Sequence, residues 1–130
     1  TLDEDVLVLA MRKCTQANID CLTDYIKQMR YYFSQGELSK AAKADYDFHL
    51  YLAGCAHNAF LMRIIQGVYA LFEGSIEKNI RTEELFARAD QHHQDIVDCL
   101  KSKDESKVPA VVKRSLSSWR ENVRQKMNID

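Results

Sequence analysis

Glu37-Leu38-Ser39-Lys40-Ala41-Ala42-Lys43-Ala44-Asp45-Tyr46-Asp47-Phe48-His49-Leu50-Tyr51-Leu52-Ala53-Gly54-Cys55-Ala56 carries apolar residues at Leu38, Ala41, Ala42, Phe48, Leu52 and Ala56. That recurrence has the period of an amphipathic helix. Extrapolated along the same stripe, Asp45 and His49 fall on the side that faces a core. A carboxylate and an imidazole one turn apart on a buried face are costly unless each has a partner. The rest of the chain is therefore read for what satisfies them.

Outward from this helix, the composition points to an all-α protein. A chain of 130 residues supports one domain with a substantial core. One Pro and four Gly leave few turns from which to build a sheet. Charged residues at 28% and hydrophobic ones at 46% suit an antiparallel helical bundle of about five to six helices. Eighteen Lys and Arg against nineteen Asp and Glu give a net charge of -1, so no basic field marks this segment as a nucleic-acid or anionic-membrane surface. Cys14, Cys21, Cys55 and Cys99 show no CxxC spacing. Three of them fall on apolar helix faces and read as small buried hydrophobes of a reduced, cytoplasmic protein. No signal peptide or long uncharged run is present, and a chain that begins at Thr1 reads as a piece of a longer protein.

Residues Leu2 to Ser34 carry a helical stripe through Leu7, Met11, Cys14, Cys21, Tyr25, Met29 and Tyr32, with Thr1 or Asp3 as cap and Gly36 as terminator. Asn18 interrupts it and Asp20 can cap a new start, so one long helix and two helices broken near Asn18 to Asp20 both fit. The Tyr31-Tyr32-Phe33 cluster reads as packing, since no basic groove accompanies it. Gly54 and Asn58 end the Asp45 helix, and His57 in that turn reads as exposed or capping. Ala59 to Ile80 is the most apolar segment, with Phe60, Leu61, Ile64, Ile65, Val68, Leu71, Phe72 and Ile76, and is expected to be the central buried rod. Its later half brings Glu73, Ser75, Asn79 and Arg81 towards the enclosed space or towards solvent.

Thr82 caps the next helix, with acids in its first turn. Its stripe of Leu85, Phe86, Ala89, Ile96, Val97 and Leu100 has a gap that His93 fills at the right spacing, with His92 at the edge of the face. The last helix begins around Asp104 to Lys107, tolerates Pro109 in its first turn, and carries Val108, Val112, Trp119, Val123 and Met127. Ser115 stands on that stripe between Val112 and Trp119. Asp45 with His49, then His93, then Ser115, are thus polar interruptions of three apolar stripes that can converge inside a bundle. One carboxylate and two imidazoles supply a donor set for zinc, nickel, manganese or iron with open positions. A buried Asp–His hydrogen bond without a metal satisfies the same periodicity.

Gly36-Glu37-Leu38, Ala44-Asp45-Tyr46-Asp47-Phe48-His49-Leu50, Ala56-His57-Asn58 and Leu61 together resemble the signature of the FCD ligand-binding domain of GntR-type bacterial transcriptional regulators. His93-Gln94-Asp95-Ile96-Val97 with Leu100 is similar to that family's histidine-led helix, and the likeness runs from about Asp20 to Val123. The resemblance implies an effector domain attached to an N-terminal winged helix-turn-helix, working as a homodimer whose DNA affinity is changed by a small metabolite, often a carboxylic acid. It implies no catalysis, no membrane and no DNA contact except through the absent N-terminal domain. It places that domain and the first effector-domain helix before Thr1. Many members hold a divalent metal through an Asp and a His four residues apart and two further histidines. Asp45, His49 and His93 match three of these, while Ser115 stands at the fourth. Asn79, Arg81 and Ser115 are then candidates to meet the effector. A helical-bundle metalloenzyme and a metal-free dimerisation module are the alternatives. The enzyme needs a further general base, and a di-iron site needs Glu-x-x-His pairs that the chain lacks.

Overall fold

The computed structural model describes residues 2–115, the side chains of 2, 72–76 and 79 excepted. Among the described residues six α-helices follow one another: α1 Leu2–Lys13, α2 Gln16–Ser34, α3 Leu38–Cys55, α4 Ala59–Ile76, α5 Glu83–Ser102 and α6 Val108–Arg114. Short 3-10 turns, Glu77–Ile80 and Glu105–Lys107, precede α5 and α6. The all-α bundle expected from the paucity of Gly and Pro is the fold. Trp119, Val123 and Met127 of the last stripe lie outside the described residues.

The first segment is two helices, and the break comes earlier than Asn18 to Asp20. Thr15 is the cap of α2: its hydroxyl accepts from Asn18 N–H at 3.2 Å while Asn18 Oδ1 accepts from Thr15 N–H at 2.9 Å. Asn18 thus starts the helix rather than interrupting it. The break also resets the helical phase. Ile19, Leu22, Ile26 and Met29 form the buried face of α2, whereas Cys21, expected on the continuous stripe, is exposed.

Two turns position α3. Gly36, at φ 72°, lets the chain leave α2 in the left-handed conformation, with Gly36 N–H on Phe33 O and Glu37 N–H on Tyr32 O. The same pair of bonds closes α3, from His57 to Gly54 O and from Asn58 to Ala53 O. There the left-handed residue is His57, at φ 56°. Asn58 then caps α4, its Oδ1 accepting from Leu61 N–H at 2.9 Å.

The main core draws Leu7 and Met11 from α1, Leu22 and Ile26 from α2, Phe48 and Leu52 from α3, Ile96 and Leu100 from α5, and Val108 and Val112 from α6. Among the described side chains, no α4 residue is one of its buried members. The described part of α4 is therefore not the central rod its apolar content predicts. It packs mainly on α3, buries Ile65 and Val68, and leaves Phe60 69% and Leu71 72% exposed. The central position belongs to α3, which α2, α1 and α4 all contact.

Candidate functional site

α3 presents Asp45, Phe48, His49 and Leu52 on one buried stripe, and α5 presents His93, Ile96, Val97 and Leu100 on another. Packing the two stripes into one bundle brings His93 against Asp45. Asp45 Oδ1 lies 2.6 Å from His93 Nε2 and 3.4 Å from His49 Nε2. One donor atom from each of the three residues falls within 4.8 Å of the others, and among the described residues this is the one such His/Cys/Asp/Glu group. All three side chains are buried. Phe48 holds the imidazoles edge-on, its ring centroid 4.7 Å from His93 and 5.5 Å from His49.

Close as the two ring nitrogens are, Asp45 Oδ1 has no well-formed hydrogen bond. His93 Nδ1 and Ser115 Oγ are likewise buried without a hydrogen-bond partner among the described residues. Burial pushes the Asp45 carboxyl up, but the charge of His93 and the proximity of both imidazoles outweigh it and hold the carboxyl well below its ordinary range. Asp45 is thus an anion at neutral pH. Burial, then the neighbouring His93, pushes His92 down.

This donor set fits a divalent metal. A carboxylate oxygen and two imidazole nitrogens bound at about 2.1 Å in tetrahedral array would stand about 3.4 Å apart. Asp45 and His49 already have that spacing, whereas Asp45 and His93, at 2.6 Å, would open by roughly 0.8 Å to reach it. Beside His49, a small cavity of about 30 Å³ is bounded by Asp3, Val6, Leu52, Ala53, Leu61 and Ile65. No periodicity announces Asp3, which reaches this wall only because α1 packs on α3.

Ser115, 4% exposed, caps the end of α6, and its Oγ has no hydrogen-bond partner among the described residues. Arg81 is exposed between the first 3-10 turn and α5, and Asn79 belongs to that turn. His57 is exposed, and His92 is half-buried at the edge of the α5 face.

A protein-family model, the FCD domain, matches residues 1–118. The chain belongs to the FCD domain family. The match takes in α1, which the likeness beginning near Asp20 leaves out, and FCD domains are the regulatory, effector-binding domains of GntR-type transcriptional regulators. A search of curated proteins and a search of solved structures each returned no match. In this FCD domain, no helix among the described residues is long and apolar enough to cross a membrane.

Proposed function

We propose that this FCD domain senses a small carboxylic acid through a divalent metal held by Asp45, His49 and His93, and passes the binding event to a winged helix-turn-helix domain outside this chain. The observation that carries the reading is the enclosed cluster itself: one donor atom each of Asp45, His49 and His93 lies within 4.8 Å of the others, and all three side chains are buried. A carboxylate between two imidazoles is an oxygen and nitrogen set that a divalent ion can take as ligands.

Zinc, nickel and manganese suit the donors. The metal supplies a Lewis-acidic anchor for a carboxylate. Three protein ligands leave positions for it, and Ser115, at the place of the family's fourth histidine, leaves one more. Asn79, Arg81 and Ser115 are the residues proposed to meet the remainder of the effector. The protein acts as a homodimer in the cytoplasm, in contact with DNA only through its other domain, and an effector that prefers one packing of the bundle shifts the spacing of the two DNA-binding domains.

Elemental analysis after dialysis against zinc, nickel or manganese is expected to find about one metal per chain, and none in Asp45→Ala or His93→Ala. A thermal-shift screen of small organic acids should then show stabilisation that depends on the metal. Absence of bound metal in wild-type protein with zinc in excess sinks the metal reading. Turnover of an acid would favour the metalloenzyme, and indifference to every acid the dimerisation module.

A further inference from the structure

α3 has a second face. Asp47, Leu50, Tyr51 and Gly54 recur along it at helical spacing, on the side opposite Asp45, Phe48, His49 and Leu52. All four are half-buried, outside the main core. They line a groove of about 410 Å³, to which Lys13 at the end of α1, Asn18 and Tyr25 of α2, and Met62 of α4 also contribute. That volume is in the range of small-molecule sites. The groove and the Asp45 site have no residue in common.

The aromatic part of the lining is fixed by contacts of its own. Asn18 Nδ2 donates to the Tyr51 hydroxyl oxygen at 2.9 Å, and the Tyr51 ring stands edge-on to Tyr25, with centroids 5.9 Å apart and planes at 61°. Asn18 is held in turn by the α2 cap, where its Oδ1 accepts from Thr15 N–H at 2.9 Å. Tyr51 is thereby oriented by two neighbours. Gly54 has no side chain to fill the space beside it, and a Cβ there would lie 3.8 Å from Sδ and Cε of Met62. Bare backbone and a thioether are surfaces on which a flat ring can lie.

Charge selects the sign of an occupant. Asp47 is the one carboxylate of the lining, and Lys43 Nζ donates to it at 2.6 Å. Arg12, next to Lys13, is occupied in the same way by two bonds to Glu105, at 2.7 and 3.1 Å. Lys13 is the one Lys or Arg of the lining, is exposed, and takes part in no ion pair among the described residues. An unpaired ammonium beside tyrosine rings and a thioether, with the local acid already neutralised, complements an anion that carries a flat apolar body.

We propose that this groove is a second ligand site, which binds a small aryl carboxylate with the carboxylate at the Lys13 ammonium and the ring against Tyr51 and Met62. An aryl acid is preferred to an alkyl one because tyrosine rings and the Met62 sulfur gain specific contacts with an aromatic ring. It is preferred to an aryl amine because the one unpaired charge of the lining is positive. The site requires no metal. It shares only α3 with the Asp45 site, and the two faces of that helix serve the two sites separately.

The test uses the whole chain with isotope-labelled methionine methyl groups, kept in excess EDTA and titrated with cinnamate under observation by NMR. The Met62 methyl, assigned with Met62→Leu, is expected to move saturably in the ring current of the ligand, while Met11 and Met29, buried in the core, hold their positions. Cinnamamide, the same ring without the charge, should bind roughly three- to tenfold more weakly, and hexanoate more weakly than cinnamate. Lys13→Met, a change at an exposed residue, should remove the preference for acid over amide by weakening cinnamate alone. A Met62 methyl that does not respond to millimolar cinnamate overturns the proposal, as does equal affinity for cinnamate and cinnamamide, or for cinnamate and hexanoate. These three outcomes are read on wild-type protein, and with the metal removed none of them bears on the Asp45 site.

Discussion

Asp45 carries both the cost and the purpose of the site. Its carboxyl is depressed in the folded protein, so the folded state holds the carboxylate more strongly than the unfolded chain does. That contribution is present above the unfolded carboxyl's pKa, about 3.9, and is lost as pH falls through the lower folded value. In metal-stripped protein, acid titration followed by circular dichroism should therefore show stability declining below about pH 4, and Asp45→Asn should flatten that part of the profile. Phe48 is fully buried and touches both imidazoles. Phe48→Ala is expected to cost about 3–5 kcal/mol in chemical denaturation and to weaken metal retention by freeing the rings. Ser115→His tests the missing donor: if residue 115 stands at the fourth ligand position, isothermal titration should find affinity raised on the order of 10- to 100-fold, and unchanged affinity would remove Ser115 from the site.

At the level of the elements, the helix ends are set by local chemistry that side-chain truncation can measure. Thr15→Ala removes the hydroxyl that caps α2 and should cost about 1 kcal/mol. Gly36 and His57 occupy equivalent left-handed positions after α2 and α3. Gly36→Ala should cost about 1–2 kcal/mol, because a Cβ is disfavoured there, whereas His57→Gly removes a comparable strain and should leave the melting temperature equal or higher. If His57→Gly instead lowers it, the imidazole makes a contact at the groove that outweighs its backbone cost. The α1–α2 break shows why phase matters: a cap at Thr15 rotates everything after it, and the buried face moves to Ile19, Leu22, Ile26 and Met29.

At the scale of the whole molecule, α4 is the helix that exposes the most large apolar side chains among the described residues. Phe60, Ile64 and Leu71 recur on one face, with Gly67 between them and open space over its Cα. The arc beside this face, through Ile65 and Val68, is already spent against the rest of the domain. A second copy docked across a two-fold axis, with the two Gly67 positions allowing close approach, covers such a stripe symmetrically. We expect Phe60→Glu with Leu71→Glu to shift light-scattering mass from dimer to monomer without loss of helical content. An unchanged mass would remove this face as a dimer contact.

Composition and periodicity suffice for the all-α class, the amphipathic stripes, most of the helix ends, and the three buried-face residues that meet. Periodicity is local: it places Asp45, His49 and His93 on buried faces because every turn repeats the same geometry. The resemblance added which of these residues to group. Packing of the whole chain is what brings His93 Nε2 to 2.6 Å from Asp45, sets Asp3 on the border of the cavity beside His49, and leaves Phe60 and Leu71 of the most apolar helix exposed. Those facts depend on which face covers which. Hydrophobicity states how strongly a face avoids water and is silent about its partner, so the choice of α3 over α4 as the central helix is made only when all the faces pack together.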